Sequence, residues 1–232
     1  MIISDTYAFI QVPRTSSSTI SGNLVDIHGG AEPDIHVAVG EEVNGEVHDL
    51  SNRFVFGFVR NPYEREFSQW KYHSRKKGDV FTEITFEQWV LWRYRNLDLP
   101  ESWFFDTTVY NYLRTFSRYP QLGFFLDNEG SMHTDFIGTY ERRQEGLDFA
   151  YAQLGFTDQS GKTREQSNGP EPTSSYQEYY TKEMIELVTE RYMPDLIAFG
   201  YSFEERESQC MRPDLVCDRQ FRNIETRRYL HK

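Results

Sequence analysis

The sequence predicts an α/β domain, a central parallel sheet flanked by helices, on three observations. Tyr7 to Val12 (YAFIQV) and Arg53 to Val59 (RFVFGFV) are short apolar runs of aromatic and β-branched residues. They lack the strict alternation of a half-exposed strand, as strands buried on both faces do. Each is followed by a polar turn and a segment with helical spacing, Thr19 to Ile27 after the first and Pro62 to Ser74 after the second. The third observation is size: 232 residues, 38% hydrophobic and 16% aromatic, can fill one sizeable core.

Between the two strands, Asp26 to Asp49 carries seven acidic residues and no Lys or Arg, which predicts a solvated loop with one short helix. After Gly78, Phe86 to Tyr94 repeats apolar residues at three and four with Thr85 as N-cap. Phe124 to Leu126, then DNEG, then Asp135 to Gly138 reads as a small hairpin. Helical patterns return at Arg142 to Leu154, ending at Gly155, and at Thr181 to Phe199, ending at Gly200 with a kink expected at Pro194. Gln159 to Ser175, rich in Ser, Thr, Gly and Pro, reads as a long loop of the kind that carries function. Residues 1–205 form the expected domain, and 206–232 a basic tail or docking arm, with six basic against three acidic residues from Met211 onward.

Composition narrows the function. A net charge of −11 argues against a surface that coats nucleic acid or anionic membrane. No run reaches the roughly 18 to 20 apolar residues of a membrane span, and no export signal is evident. Cys210 and Cys217 are too few for a secreted disulfide framework, and none of the nine Asn residues starts a glycosylation sequon, so the cytoplasm is the expected location.

The chemistry concentrates in two turns. The first reads Val12-Pro13-Arg14-Thr15-Ser16-Ser17-Ser18-Thr19, a strand running into a helix start. Helix-terminal N–H groups, hydroxyls and one guanidinium at such a place make an anion cradle. The plain alternative is a turn with a Ser cap. It is not a Walker A loop, since the Gly-Lys-Ser/Thr ending is missing. The second reads Phe58-Val59-Arg60-Asn61-Pro62-Tyr63-Glu64-Arg65-Glu66-Phe67-Ser68. Pro62 suits the first helical turn, which leaves Arg60 at the strand's C-terminal end, able to grip a phosphate bidentately, with Ser68 nearly two turns on. From Arg60 to Lys77 six basic residues face two acidic ones, a net +4 inside an acidic chain. An ordinary surface helix with salt bridges is the alternative there.

These two turns resemble the cofactor loops of PAPS-dependent sulfotransferases, in particular the carbohydrate O-sulfotransferases (sulfotransferase family 2 type). Asp135-Phe136-Ile137-Gly138 with Tyr140-Glu141, Asn168, Tyr179-Tyr180, Asp195-Leu196 and Phe199-Gly200-Tyr201 follow in the family's order. The resemblance implies a P-loop-like nucleotide-binding fold and transfer of a sulfuryl group from PAPS to a hydroxyl, with a carbohydrate as the expected acceptor, leaving PAP and requiring no metal. It assigns the 5′-phosphosulfate to the loop of Arg14, Thr15, Ser16, Ser17, Ser18 and Thr19, and the 3′-phosphate to Arg60 and Ser68. The family's loop usually reads Pro-Lys-Thr-Gly-Gly-Thr-Ser. Here Arg14 stands for the lysine, and Ser16 and Ser17 for glycines.

Sulfuryl transfer also needs a base for the acceptor proton. Related enzymes often place a histidine shortly before the second strand, and His36 lies between the two loops as the first candidate, with His28 and Glu32 as alternatives. His73, His133 and His231 read as structural or surface, and Trp89 and Trp92, at helical spacing, as core rather than sugar platforms. Two other functions compete: a P-loop-like small-molecule kinase, and a non-catalytic glycan-binding protein that retains the fold.

Overall fold

The computed structural model describes residues 1–34, 36–39, 41–43, 46–75, 84–95, 119–156 and 175–205. They fall into two compact units. The first holds residues 1–60 and 121–156, and the second holds 61–75, 84–95, 119–120 and 175–205.

The first unit is built on a four-stranded sheet in the order β1-β2-β5-β6: β1 (Ile2–Ile3), β2 (Tyr7–Ile10), β5 (Phe54–Val59) and β6 (Phe136–Thr139). The pairs β2–β5 and β5–β6 are parallel, with Phe9 opposite Phe56 and Phe56 opposite Phe136, while β1 adds an antiparallel edge. All four residues of β2 and five of the six in β5 are buried, which is why the sequence runs apolar without alternation. One face packs Phe9, Phe56 and Phe58 with Ile20 and Leu24 of α1 (Ser17–Asp26) and with Leu147 and Ala150 of α4 (Arg143–Gln153). A Cβ at Gly146 would lie 2.7 Å from the Phe58 ring, so glycine there is what lets α4 approach. On the other face the 3-10 turn Gln121–Phe125 lays Phe125 over the sheet, 2.6 Å from where a Cβ at Gly57 would stand.

Two expectations are corrected here. Residues 124–126 belong to a 3-10 turn and a single bridge, Leu126 to Met132, and not to a hairpin with 135–138. The Asp127 carboxylate does close a tight turn by accepting from the Glu129 and Ser131 N–H groups, but β6 pairs in parallel with β5 instead. The Asp135 carboxylate accepts from the Val55 N–H at 2.7 Å and starts that pairing. Beyond Asp26, the last residue of α1, the acidic segment holds no helix among the described residues; it contains a two-strand ribbon, β3 (Glu42–Val43) with β4 (Glu46–Val47).

The second unit is helical. In α2 (Pro62–Ser74) the Asn61 side chain caps the Tyr63 N–H at 3.0 Å and proline opens the first turn, as its sequence predicts. α3 (Phe86–Arg95) starts with reciprocal bonds between Thr85 and Gln88, a capping box. α5 (Lys182–Phe199) is capped by Thr181, leaves helical geometry at Tyr192 two residues before Pro194, and ends at Gly200 with φ +63°. It packs against α2 and α3 around Phe67, Trp89, Trp92, Met184 and Val188. Among the described residues no helix is long and apolar enough to cross a membrane. The stretch 206–232, with Cys210 and Cys217, lies outside the described residues.

Candidate functional site

The three parallel strands β2, β5 and β6 end at Ile10, Val59 and Thr139, and the chain leaving each of them contributes to one polar cluster in the first unit. Ligand sites of parallel sheets form at this edge because successive strands all deliver their loops there. The first loop turns through Arg14 at φ +67° and Ser16 at φ +68°. Left-handed backbone costs a non-glycine residue roughly 1 to 2 kcal/mol. The serine that replaces a family glycine at position 16 therefore sits where a glycine would be unstrained. Ser16 is also the N-cap of α1, yet its side chain makes no cap hydrogen bond.

Its hydroxyl is used elsewhere. The Arg143 guanidinium, from the first residue of α4, donates to Ser16 Oγ at 2.7 Å. Arg60, directly after β5, donates from Nη1 to the Arg14 carbonyl at 3.4 Å, and its guanidinium carbon lies 3.9 Å from the Tyr140 ring centroid. The Arg143 guanidinium lies 5.9 Å from the same centroid. Gln121 holds the Arg60 main chain on both sides: its Oε1 accepts from the Arg60 N–H at 2.9 Å and its Nε2 donates to the Arg60 carbonyl at 2.8 Å. Two guanidiniums thus rest on the first loop, and both lie near one tyrosine ring that can carry them by cation–π attraction.

The predicted hydroxyls do not all face the same way. Thr15 is buried and donates to the Val12 carbonyl at 2.9 Å, which makes it a clamp of the turn. Ser17 is buried, Thr19 half-buried, and Ser18 exposed in the first turn of α1. Ser68 belongs to the second unit. It is half-exposed in α2 after residues 62–67, all of which are buried. The basic excess of this helix is not a surface stripe: Arg65 is buried, donates to the Tyr119 carbonyl at 3.3 Å, and lies over the Tyr192 ring.

His36 joins the first loop directly. It takes φ +58°, and its Nδ1 lies 2.8 Å from the Gln11 carbonyl, the residue that follows β2. A carbonyl can only accept, so Nδ1 carries the proton and Nε2 carries the lone pair of the neutral ring. Around it, Gln11 Nε2 donates to Ser21 Oγ at 2.6 Å and to Glu32 Oε1 at 2.5 Å, so the Glu32 carboxylate is engaged in orienting Gln11. The Met1 ammonium donates to Gln11 Oε1 and to the Asp34 carbonyl; burial pulls its pKa down to about 6 against the raising pull of Glu32 and Asp34. His28 stands apart. It stacks on Phe156 at 3.8 Å beyond the C-terminal end of α1, and Tyr7, which opens β2, reaches its carbonyl, so it lies at the opposite edge of the sheet from the first loop. His73 is buried against Trp89, and His133 Nε2 lies 2.6 Å from Asp127 Oδ2, both in line with structural or surface roles.

Arg143, Gln121 and the stacking of Tyr140 escape a sequence reading. Arg142-Arg143 at a helix start is the one signal for the first, because cations there oppose the helix dipole. Asn168 and residues 159–174 of the predicted long loop lie outside the described residues. No curated protein and no solved structure matches the chain. A family model described as the sulfotransferase family matches residues 2–202, the span that contains both strand-end turns and the whole parallel sheet. On that match the chain belongs to the sulfotransferase family.

Proposed function

We propose that the protein moves a sulfuryl group from PAPS to an acceptor hydroxyl, and that the acceptor is a carbohydrate. The observation that carries the reading is the pair of guanidiniums, Arg60 and Arg143, resting on a first loop that turns left-handed at Arg14 and Ser16. Such a site favours a multiply charged anion through charge-assisted hydrogen bonds. The carbohydrate acceptor rests on the likeness of the two turns to those of carbohydrate O-sulfotransferases.

In this reading the acceptor oxygen forms a bond to sulfur as the bond from sulfur to the bridging phosphate oxygen breaks. The products are the sulfate ester, PAP and one proton. His36, with Nδ1 held by the Gln11 carbonyl, presents Nε2 as the atom that takes the acceptor proton. Arg14 meets the negative charge that grows on the departing phosphate, an interaction stronger in the transition state than before it. Arg60 takes the 3′-phosphate, a role the resemblance gives it together with Ser68. Thr15, Ser16, Ser17, Ser18 and Thr19 belong to the donor loop, with Thr15 shaping the turn and Ser18 facing outward. Positioning and electrostatics supply the catalysis, as in phosphoryl transfer.

Thermal unfolding with PAP, AMP and ATP tests the reading. A ligand at about 100 times its dissociation constant adds about 2.7 kcal/mol. PAP stabilising well beyond AMP and ATP supports a sulfuryl donor site. Stabilisation by ATP with Mg²⁺ and none by PAP points to a kinase instead.

A further inference from the structure

Arg142 and Arg143 are neighbours at one helix start, but their charges are answered differently. The Arg142 guanidinium pairs with Glu145, with Nε 2.9 Å from Oε1, on an exposed face. Arg143 makes no ion pair among the described residues. Its partners are the neutral Ser16 hydroxyl and, at longer range, the Tyr140 ring. It is half-buried, it stands at the positive end of the α4 dipole, and the Arg60 guanidinium lies close to that same ring. Partial burial, dipole and a like charge all raise the cost of a cation here, and an anion at the loop would offset all three. The cation is also aimed. The hydroxyl that holds it belongs to a residue in strained left-handed backbone, where the glycine usual in the family would give Arg143 nothing to bond.

We infer that Arg143 is a ligand of the donor's 5′-phosphate, with Ser16 as the residue that positions it. The inference rests on the donor reading above. Arg143 reaches the 5′-phosphate from the loop side, while Arg60 serves the 3′-phosphate, so the two arginines divide the donor's two phosphates between them. Arg143 donates hydrogen bonds to non-bridging phosphate oxygens; no covalent step passes through it.

The test is calorimetric titration of the wild-type chain and of Arg143→Ala, Arg143→Lys, Ser16→Gly and Arg142→Ala with PAP, adenosine 3′-monophosphate and inorganic pyrophosphate. The unliganded melting temperature of each variant is recorded as a check on folding. Loss of one charge-assisted hydrogen bond predicts PAP binding weakened about 10- to 100-fold in Arg143→Ala. Adenosine 3′-monophosphate, which lacks the 5′-phosphate, keeps its wild-type affinity. Arg143→Lys and Ser16→Gly fall between, and Arg142→Ala binds as wild type. Unchanged PAP affinity in Arg143→Ala overturns the inference, as does equal weakening of PAP and adenosine 3′-monophosphate. If PAP does not bind the wild-type chain, the donor reading fails by itself. Pyrophosphate then decides on Arg143: weaker binding in Arg143→Ala upholds the anion site, and equal binding overturns it.

Discussion

Two clusters in this protein bring arginine and aromatic rings together, and they differ in what answers the charge. In the second unit Arg93 is fully buried with Nε 2.9 Å from Glu66 Oε1, and the same carboxylate accepts from Trp89 Nε1 and the Tyr94 hydroxyl, each at 2.6 Å. Burial pulls the Arg93 pKa down, but Glu66 with Tyr94 and Tyr192 outweighs it and holds the pKa above its ordinary value. Burial first, and Glu66 next, push the Tyr94 and Tyr180 phenols well up. In the first unit, the partners of Arg60 and Arg143 among the described residues include a backbone carbonyl, a serine hydroxyl and a tyrosine ring. The first cluster carries its own counter-charge and locks three helices. The second gathers positive charge at the sheet edge where a ligand would arrive. On the proposed function, the contrast separates an arginine that serves the fold from one that would serve a ligand, although both lie beside aromatic rings.

The largest effect is expected at His36, held by the Gln11 carbonyl at the start of the first loop. His36→Ala should lower turnover by about 100- to 10,000-fold with PAP affinity unchanged. Wild-type turnover should also fall on the acid side, where the imidazole already holds the proton it must accept. His28→Ala and Glu32→Gln are the comparisons. Should one of them abolish turnover while His36→Ala does not, the base is that residue.

Next in size is the closed cluster. Removing Glu66 leaves Arg93 buried without its counter-charge, so Glu66→Ala should destabilise the protein by about 3 to 5 kcal/mol in chemical denaturation. Replacing both partners, Glu66→Leu with Arg93→Met, removes the stranded charge but still takes the acceptor from the Trp89 N–H and the Tyr94 hydroxyl, so it should recover only part of that loss. A Glu66→Ala chain as stable as wild type would show that the network does not carry the fold.

Arg14→Ala tests the open cluster through the chemical step and should cost about 100-fold in turnover, the scale of one preorganised donor. Arg14→Lys restores the residue usual in the family and should keep substantial turnover. A lysine variant as inactive as alanine would mean that the loop does not act on the leaving group.

The comparison also explains what was legible in the sequence. The strands Tyr7–Ile10 and Phe54–Val59 and the helix Pro62–Ser74 announce themselves by unbroken apolar runs and by Pro62, signals local to a few residues. Arg14 and Arg60 could be proposed from sequence because each lies in the turn that follows such a strand. Arg143 and Gln121 could not: they reach the site from about 130 and 60 residues away in sequence, through tertiary contacts alone. Thr15 was legible as a residue of the polar turn, but the hydrogen bond from its hydroxyl to the Val12 carbonyl was not. The hairpin expected at 124–138 failed for a related reason, since the tight turn at 127–131 is real but says nothing about which strand β6 will join.

The central claim is that Arg60, at the end of β5 and clamped by Gln121, grips the phosphate that distinguishes PAP from AMP. Titrating PAP and AMP against the wild-type chain and Arg60→Ala measures it most directly. The account predicts wild-type preference for PAP and a variant that binds the two ligands alike, with PAP weakened by about tenfold or more, the scale of a charge-assisted hydrogen bond of about 1.5 to 3 kcal/mol. An Arg60→Ala chain that binds PAP as tightly as wild type, and still prefers it over AMP, would contradict it.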